Sequence, residues 1–463
     1  MIGSLRALAV LVVAVASLRA GPGAAVPMSE QMVGDLSFTA LFGAPPTADD
    51  AVIRLADRGN QDVVPALVLA LRYRGAEPAT LDAISRLTGT PITDWNDAML
   101  WQEANPDVIP HISYRDLKLA VFERIDPRFM EFLGGWRSRQ ENLGIRLEEI
   151  TWGGVRVDGI PSLDNPTLIA AGDADYLLPD DLVFGVAING DARAYPLRIM
   201  GWHEMFNDTI GGVPLALAYC TLCGAGILFE TDVEGQDKPL VFGSSGFLYR
   251  SNKLMFDRQT NSLWNQFTGE PVSGELRDSG IKLKIRPVVI TTWADWQSRN
   301  PDTRVLSLDT GFRRDYGSGV VYAEYFASPD LMFPTIVRDE STVQRKDYVF
   351  GIREVGAAKA WPLAAFESER VINDTVGGRN VVLVGDAATR TVRAYDRGDL
   401  SFGATDRADR LAAVGEVWTV GESALEAQDG RRLARVPGHI SYWFAWDGYL
   451  GVRSELYQTA SGQ

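Results

Sequence analysis

The sequence predicts an α+β protein: an N-terminal helical, HEAT-like module followed by a β-rich domain duplicated in tandem. Three observations predict it. Residues from about 30 to 145 carry apolar side chains at helical spacing. From about Gly153 the texture changes to short apolar runs broken by Gly, Asn, Asp and Pro. Those runs then recur in one gapless register at an offset of 166 residues, Val183-Phe-Gly-Val against Val349-Phe-Gly-Ile. A chain of 463 residues exceeds one ordinary core. It divides into 1–25 (signal peptide), 30–145 (helical module), 150–310 (first β-rich repeat) and 335–460 (second repeat).

The N-terminal segment decides the expected compartment. Arg6 precedes the apolar run Ala7 to Leu18, which is followed by Arg19 and a small-residue stretch ending at Ala25. That run is too short to span a bilayer as a permanent helix and fits a secretory signal, with an uncleaved N-terminal anchor as the alternative. No cysteine follows it to carry a lipid. An exported protein, periplasmic or extracellular, is expected, with no integral membrane span after signal removal. Its net charge of −15 argues against a nucleic-acid partner, because phosphate binding needs clustered Lys and Arg.

Within the helical module, helices are expected over Asp49–Arg58, Asp62–Arg74 and Ala79–Leu87. Val64, Leu67, Val68 and Leu71 fall on one face, and Gly59, Gly75 and Gly89 punctuate the run. Such a module offers a surface for packing or for docking a protein partner. His111, in Ile-Pro-His-Ile, reads as a structural loop residue.

In the first repeat, Val183 to Ile188 and Ala192 to Tyr195 read as a hairpin closed by Asn189-Gly190. Pro214–Tyr219, Gly226–Glu230 and Leu254–Asp257 are further strands. Ala194-Tyr-Pro-Leu aligns with Ala360-Trp-Pro-Leu, and Asn207-Asp-Thr-Ile-Gly-Gly with Asn373-Asp-Thr-Val-Gly-Gly.

The repeat separates scaffold from chemistry. His203 falls opposite Glu369, Glu204 opposite Arg370, Cys220 opposite Asp386 and Cys223 opposite Thr389. His439 falls opposite Val289. A fold that does without these residues in one copy does not need them in the other, so they are the ones to suspect of function.

Cys220 and Cys223, the only two cysteines, can ligate a metal, form a redox-active disulfide or staple a turn. The staple is the weakest reading, because the loop it closes is small. With His203, and with His439 if the repeats face each other, the thiols make a soft ligand set suited to a copper or zinc ion. Glu204 would serve as a catalytic base or orient a ligand. Met255 is a weaker axial candidate.

Several motifs together resemble the domain-of-unknown-function family 3179. They are Asp158-Gly-Ile-Pro, Arg193-Ala-Tyr-Pro-Leu, Trp202-His-Glu, Tyr219-Cys-Thr-Leu-Cys-Gly, Ser262-Leu-Trp-Asn-Gln and the stretch His439 to Trp446. The resemblance covers roughly residues 150–460 and implies an exported bacterial or archaeal protein. The family's His-Glu and Cys-x-x-Cys motifs fall on His203, Glu204, Cys220 and Cys223. The functional expectation is a soft transition-metal site supporting redox chemistry with a small-molecule or redox partner. A non-catalytic metal carrier or scaffold and a thiol–disulfide redox protein are the alternatives.

Overall fold

Proline and capping side chains set where the first helices begin. A computed structural model of the chain describes residues 28–134 and 143–458; the expected signal peptide lies outside them. Ser29 Oγ accepts the Met32 N–H at 3.2 Å and starts the helix Glu30–Phe42. Pro45 and Pro78 occupy the first turns of Pro45–Asp57 and Pro78–Thr88, where their missing N–H costs nothing. The first of these therefore starts earlier than the expected Asp49. Val64–Arg74 is buried on every side from Val64 to Leu71 and forms the hub of the module. His111 lies in a loop, its Nδ1 2.8 Å from Ser113 Oγ.

One face of the helical region is covered by the β-rich region. Phe129 packs on Phe247 with ring centroids 4.3 Å apart, and Phe132 on Phe256 at 4.8 Å. The Lys118 ammonium, buried in this interface, donates to the carbonyls of Leu147 and Glu148 at 2.6 and 3.2 Å. No helix among the described residues is long and apolar enough to cross a membrane.

The expected hairpin pairs Leu182–Ile188 with Asp191–Pro196, and both turn residues have positive φ (Asn189 50°, Gly190 84°). That handedness matches the twist of the flanking strands. The strands Met205–Ile210, Val213–Cys220 and Ala225–Glu230 follow as an antiparallel meander. Phe242–Tyr249 and Asn252–Asp257 form another hairpin, turned by Arg250 and Ser251.

Farther along, Tyr348–Glu354 pairs with Ala357–Pro362, and Val371–Val376, Arg379–Asp386 and Thr391–Asp396 form a second meander. Val349 faces Pro362 as Val183 faces Pro196, and His439 faces Gly351 as Val289 faces Gly185. The polar networks correspond as well. Arg193 and Tyr195 converge on Asp208, while Lys359 and Trp361 converge on Asp374. Asn207 brackets Phe242 through both its backbone groups, and Asn373 does the same to Phe402.

Candidate functional site: a cystine beside a buried ion pair

The strand Val213–Cys220 runs straight into a one-turn 3-10 segment, Thr221–Cys223, that ends at Gly224 with φ 59°. Only glycine suits that position: a Cβ there would also lie 2.8 Å from the Tyr348 ring. The turn brings the two Cα atoms within 5.3 Å, and Cys220 and Cys223 form a disulfide. Cys223 is fully buried, its sulfur beside Asn252 Oδ1 and 3.4 Å from the Ser251 carbonyl. Cys220 instead forms part of the wall of a cavity of about 50 Å3.

Three polar side chains from distant parts of the chain share that wall. The helix Leu197–His203 ends on Glu204, whose φ of 55° is left-handed and whose N–H caps Met200 O at 2.7 Å. A non-glycine residue there costs about 1–2 kcal/mol. The Glu204 carboxylate accepts from Lys253 Nζ and from Thr221 Oγ1, both at 2.8 Å. Tyr322 OH adds a longer contact of 3.4 Å. Side-chain exposure is 5% for Lys253 and 9% for Glu204, so the pair is nearly removed from water. Burial, reinforced by the Glu204 carboxylate, pushes the Tyr322 phenol up to about 12 and keeps it protonated.

His203 precedes Glu204 directly yet serves the opposite side of the helix end. Its Nδ1 lies 2.9 Å from the Pro161 carbonyl, which can only accept. The proton therefore sits on Nδ1, and Nε2 accepts from Tyr316 OH at 2.6 Å. Burial, aided by the Arg314 charge, lowers the His203 pKa and favours this neutral form.

His439 lies between the rings of Phe267 and Trp446, at centroid distances of 5.0 and 5.5 Å. Burial, then the Arg353 charge, holds it well below the ordinary imidazole range. Its Nε2 has no hydrogen-bond partner among the described residues. Its neighbours Tyr442, Trp443 and Trp446 do belong to the core cluster that buries both cysteines and Met255.

The four-residue ligand set expected from sequence is therefore not assembled. No group of three or more His, Cys, Asp or Glu side chains among the described residues could hold a metal ion. The thiols are bonded to each other, both His203 nitrogens are engaged, and His439 is enclosed by aromatic rings. What the structure does bring together is Cys220 and Glu204, with Thr221, Lys253 and Tyr322. Lys253 carried the one missed signal: a lysine abutting the apolar run Leu254-Met-Phe needs a buried partner.

No curated protein and no solved structure matches the chain. The family model for proteins of unknown function named DUF3179 matches residues 157–451, which include the cavity wall apart from Gly153 and Val155 and most of the β-rich region. The chain belongs to the DUF3179 family.

Proposed function

We propose that the chain is a thiol–disulfide oxidoreductase acting on a small thiol. The observation that carries this reading is the asymmetry of the cystine: Cys220 is on the cavity wall beside a buried Glu204–Lys253 pair, and Cys223 lies behind it. A cavity of about 50 Å3 admits the thiol end of a small molecule and excludes a folded protein. Glu204 takes the proton of the entering thiol, and the Lys253 ammonium stabilises the thiolate. The thiolate attacks Cys220 Sγ and the Cys220–Cys223 bond breaks. Cys223 leaves as a thiolate and takes up a proton, after which its S–H donates to Asn252 or to the Ser251 carbonyl. A second thiol attacks the small molecule's sulfur and releases Cys220. Two electrons and two protons pass from two thiols to the protein, and the small molecule leaves as its disulfide.

Three further readings accompany this one. The β-rich region is one fold used twice, supported by matched strand pairings, matched Asp and Asn networks, and Trp296 and Trp446 covering Gly185 and Gly351 alike. Export fits a cystine, since disulfides persist in oxidising compartments. Copper or zinc held by the two thiols is the second reading of the reduced pair, supported by both lying on one turn.

Thiol counting on the denatured full chain tests the redox reading. Two thiols should appear after incubation with 2-mercaptoethanol and none before, and Glu204→Gln should slow their appearance tenfold or more. Free thiols in protein kept under air, or an unchanged rate in Glu204→Gln, would refute it. Elemental analysis of the reduced protein after exposure to copper or zinc decides the metal reading. One ion per chain, lost in the Cys220→Ser, Cys223→Ser double variant, would support it.

A further inference from the structure

The other side of the Leu197–His203 helix faces a larger, open cavity of about 510 Å3. Much of its wall is the segment from 308 to 317, which the helix pins in place. Arg198 donates to the carbonyls of Tyr316 and Tyr176 at 2.7 and 2.6 Å, and Trp202 Nε1 donates to Asp315 O at 2.8 Å. The wall is thus a built surface.

Two features of this cavity are open to a ligand. Arg313 and Arg314 line it side by side, and neither has a carboxylate partner among the described residues. Arg314 lies over the Trp202 ring at 6.0 Å. In a chain of net charge −15, two adjacent uncompensated guanidinium groups stand out. Beside them Phe312 packs one side on the His203 ring, at a centroid distance of 5.4 Å, and is still 42% exposed.

Tyr316 forms part of the floor, and His203 lies fully buried behind it. At the position 166 residues on, Glu369 also meets a tyrosine hydroxyl, that of Tyr457 at 2.9 Å. The scaffold therefore accepts an acid there. An acid at 203 would set a negative charge under the cavity; the neutral imidazole does not.

We propose that this cavity binds a small carboxylate with a flat apolar body. Arg313 and Arg314 take the carboxylate in charge-assisted hydrogen bonds, while Phe312 and Tyr176 cover the body. The neutral His203 keeps the floor free of repulsion. This inference is independent of the thiol chemistry proposed for the other cavity.

The test is titration of the full chain with benzoate, followed by calorimetry and by tryptophan fluorescence. Saturable binding is expected. It should weaken tenfold or more in the Arg313→Ala, Arg314→Ala double variant, whose replaced side chains are exposed and whose fold is checked by circular dichroism. Benzamide, flat but uncharged, should bind as poorly as benzoate binds that variant. His203→Glu should also lose binding, with its fold checked by circular dichroism. The Cys220→Ser, Cys223→Ser variant should bind benzoate as the wild type does. No saturable benzoate binding, equal binding of benzamide, or unchanged affinity without the two arginines would overturn the proposal.

Discussion

Replacing Lys253 by Met removes one charge from a site where water cannot compensate. Lys253 Nζ lies 2.8 Å from Glu204 Oε2, and each side chain is less than a tenth exposed. At an effective dielectric of about 20 the attraction across that distance is roughly 6 kcal/mol. Part of it offsets desolvation of the two groups, and breaking a buried pair from one side costs about 3–5 kcal/mol. The loss arises because the Glu204 carboxylate keeps only its hydroxyl partners, Thr221 and Tyr322. Replacing that carboxylate as well, in Lys253→Met with Glu204→Gln, removes the stranded charge. The double variant should therefore lose only about 1–2 kcal/mol, a coupling of several kcal/mol between the two sites. Urea unfolding of the wild type, both single variants and the double variant closes the cycle. Additivity within about 0.5 kcal/mol, the level of an exposed pair, would refute the buried-pair argument and with it the electrostatic basis of the proposed site.

Two further outcomes test the geometry around that site. Because His439 is held well below the ordinary imidazole range by burial and Arg353, the unfolded chain binds a proton below about pH 6.5 that the folded chain refuses. Stability is then lost as pH falls from about 6.5, by up to about 1.4 kcal/mol per unit; His203 contributes with the same sign. His439→Val, which copies the residue at the matching position Val289, should fold and show a shallower loss of stability between pH 6.5 and 5. An identical slope would place the imidazole in water. Gly224→Ala should destabilise by at least about 1–2 kcal/mol from its left-handed φ alone, plus the displacement of Tyr348; an unchanged urea midpoint would contradict the turn geometry.

The sequence made the scaffold legible where local rules decide it. The Asn189-Gly190 turn, the strands around 214–230 and the three helices between 45 and 88 follow from turn chemistry and periodicity, and they appear within a few residues of their expected ends. Glu204 and Cys220 drew attention for a different reason: an offset of 166 sets Arg370 and Asp386 opposite them. Their partners were not legible. Lys253 and Tyr322 reach the cavity from segments 49 and 118 positions beyond Glu204, and no local pattern reports such a distance. The structure gives both histidines other contacts: His203 meets Pro161 and Tyr316, and His439 meets Phe267 and Trp446. Adjacency in sequence put His203 beside Glu204, but a left-handed residue at the helix end turns the two side chains to opposite sides. His439 was placed at the site by the idea of facing repeats, whereas its strand position puts it against Phe267 and Trp446.

The segment that joins the two β-rich halves supplies Tyr316 to His203 and Tyr322 to Glu204. A connector of this kind cannot drift in length as ordinary linkers do, because inserting or deleting a residue between 316 and 322 would pull one phenol out of register with its cavity. The halves are consequently not interchangeable parts. A chain cut after Leu306 to isolate the first half would leave both cavities missing a wall, and loss of activity in such a fragment would say nothing about where the chemistry resides.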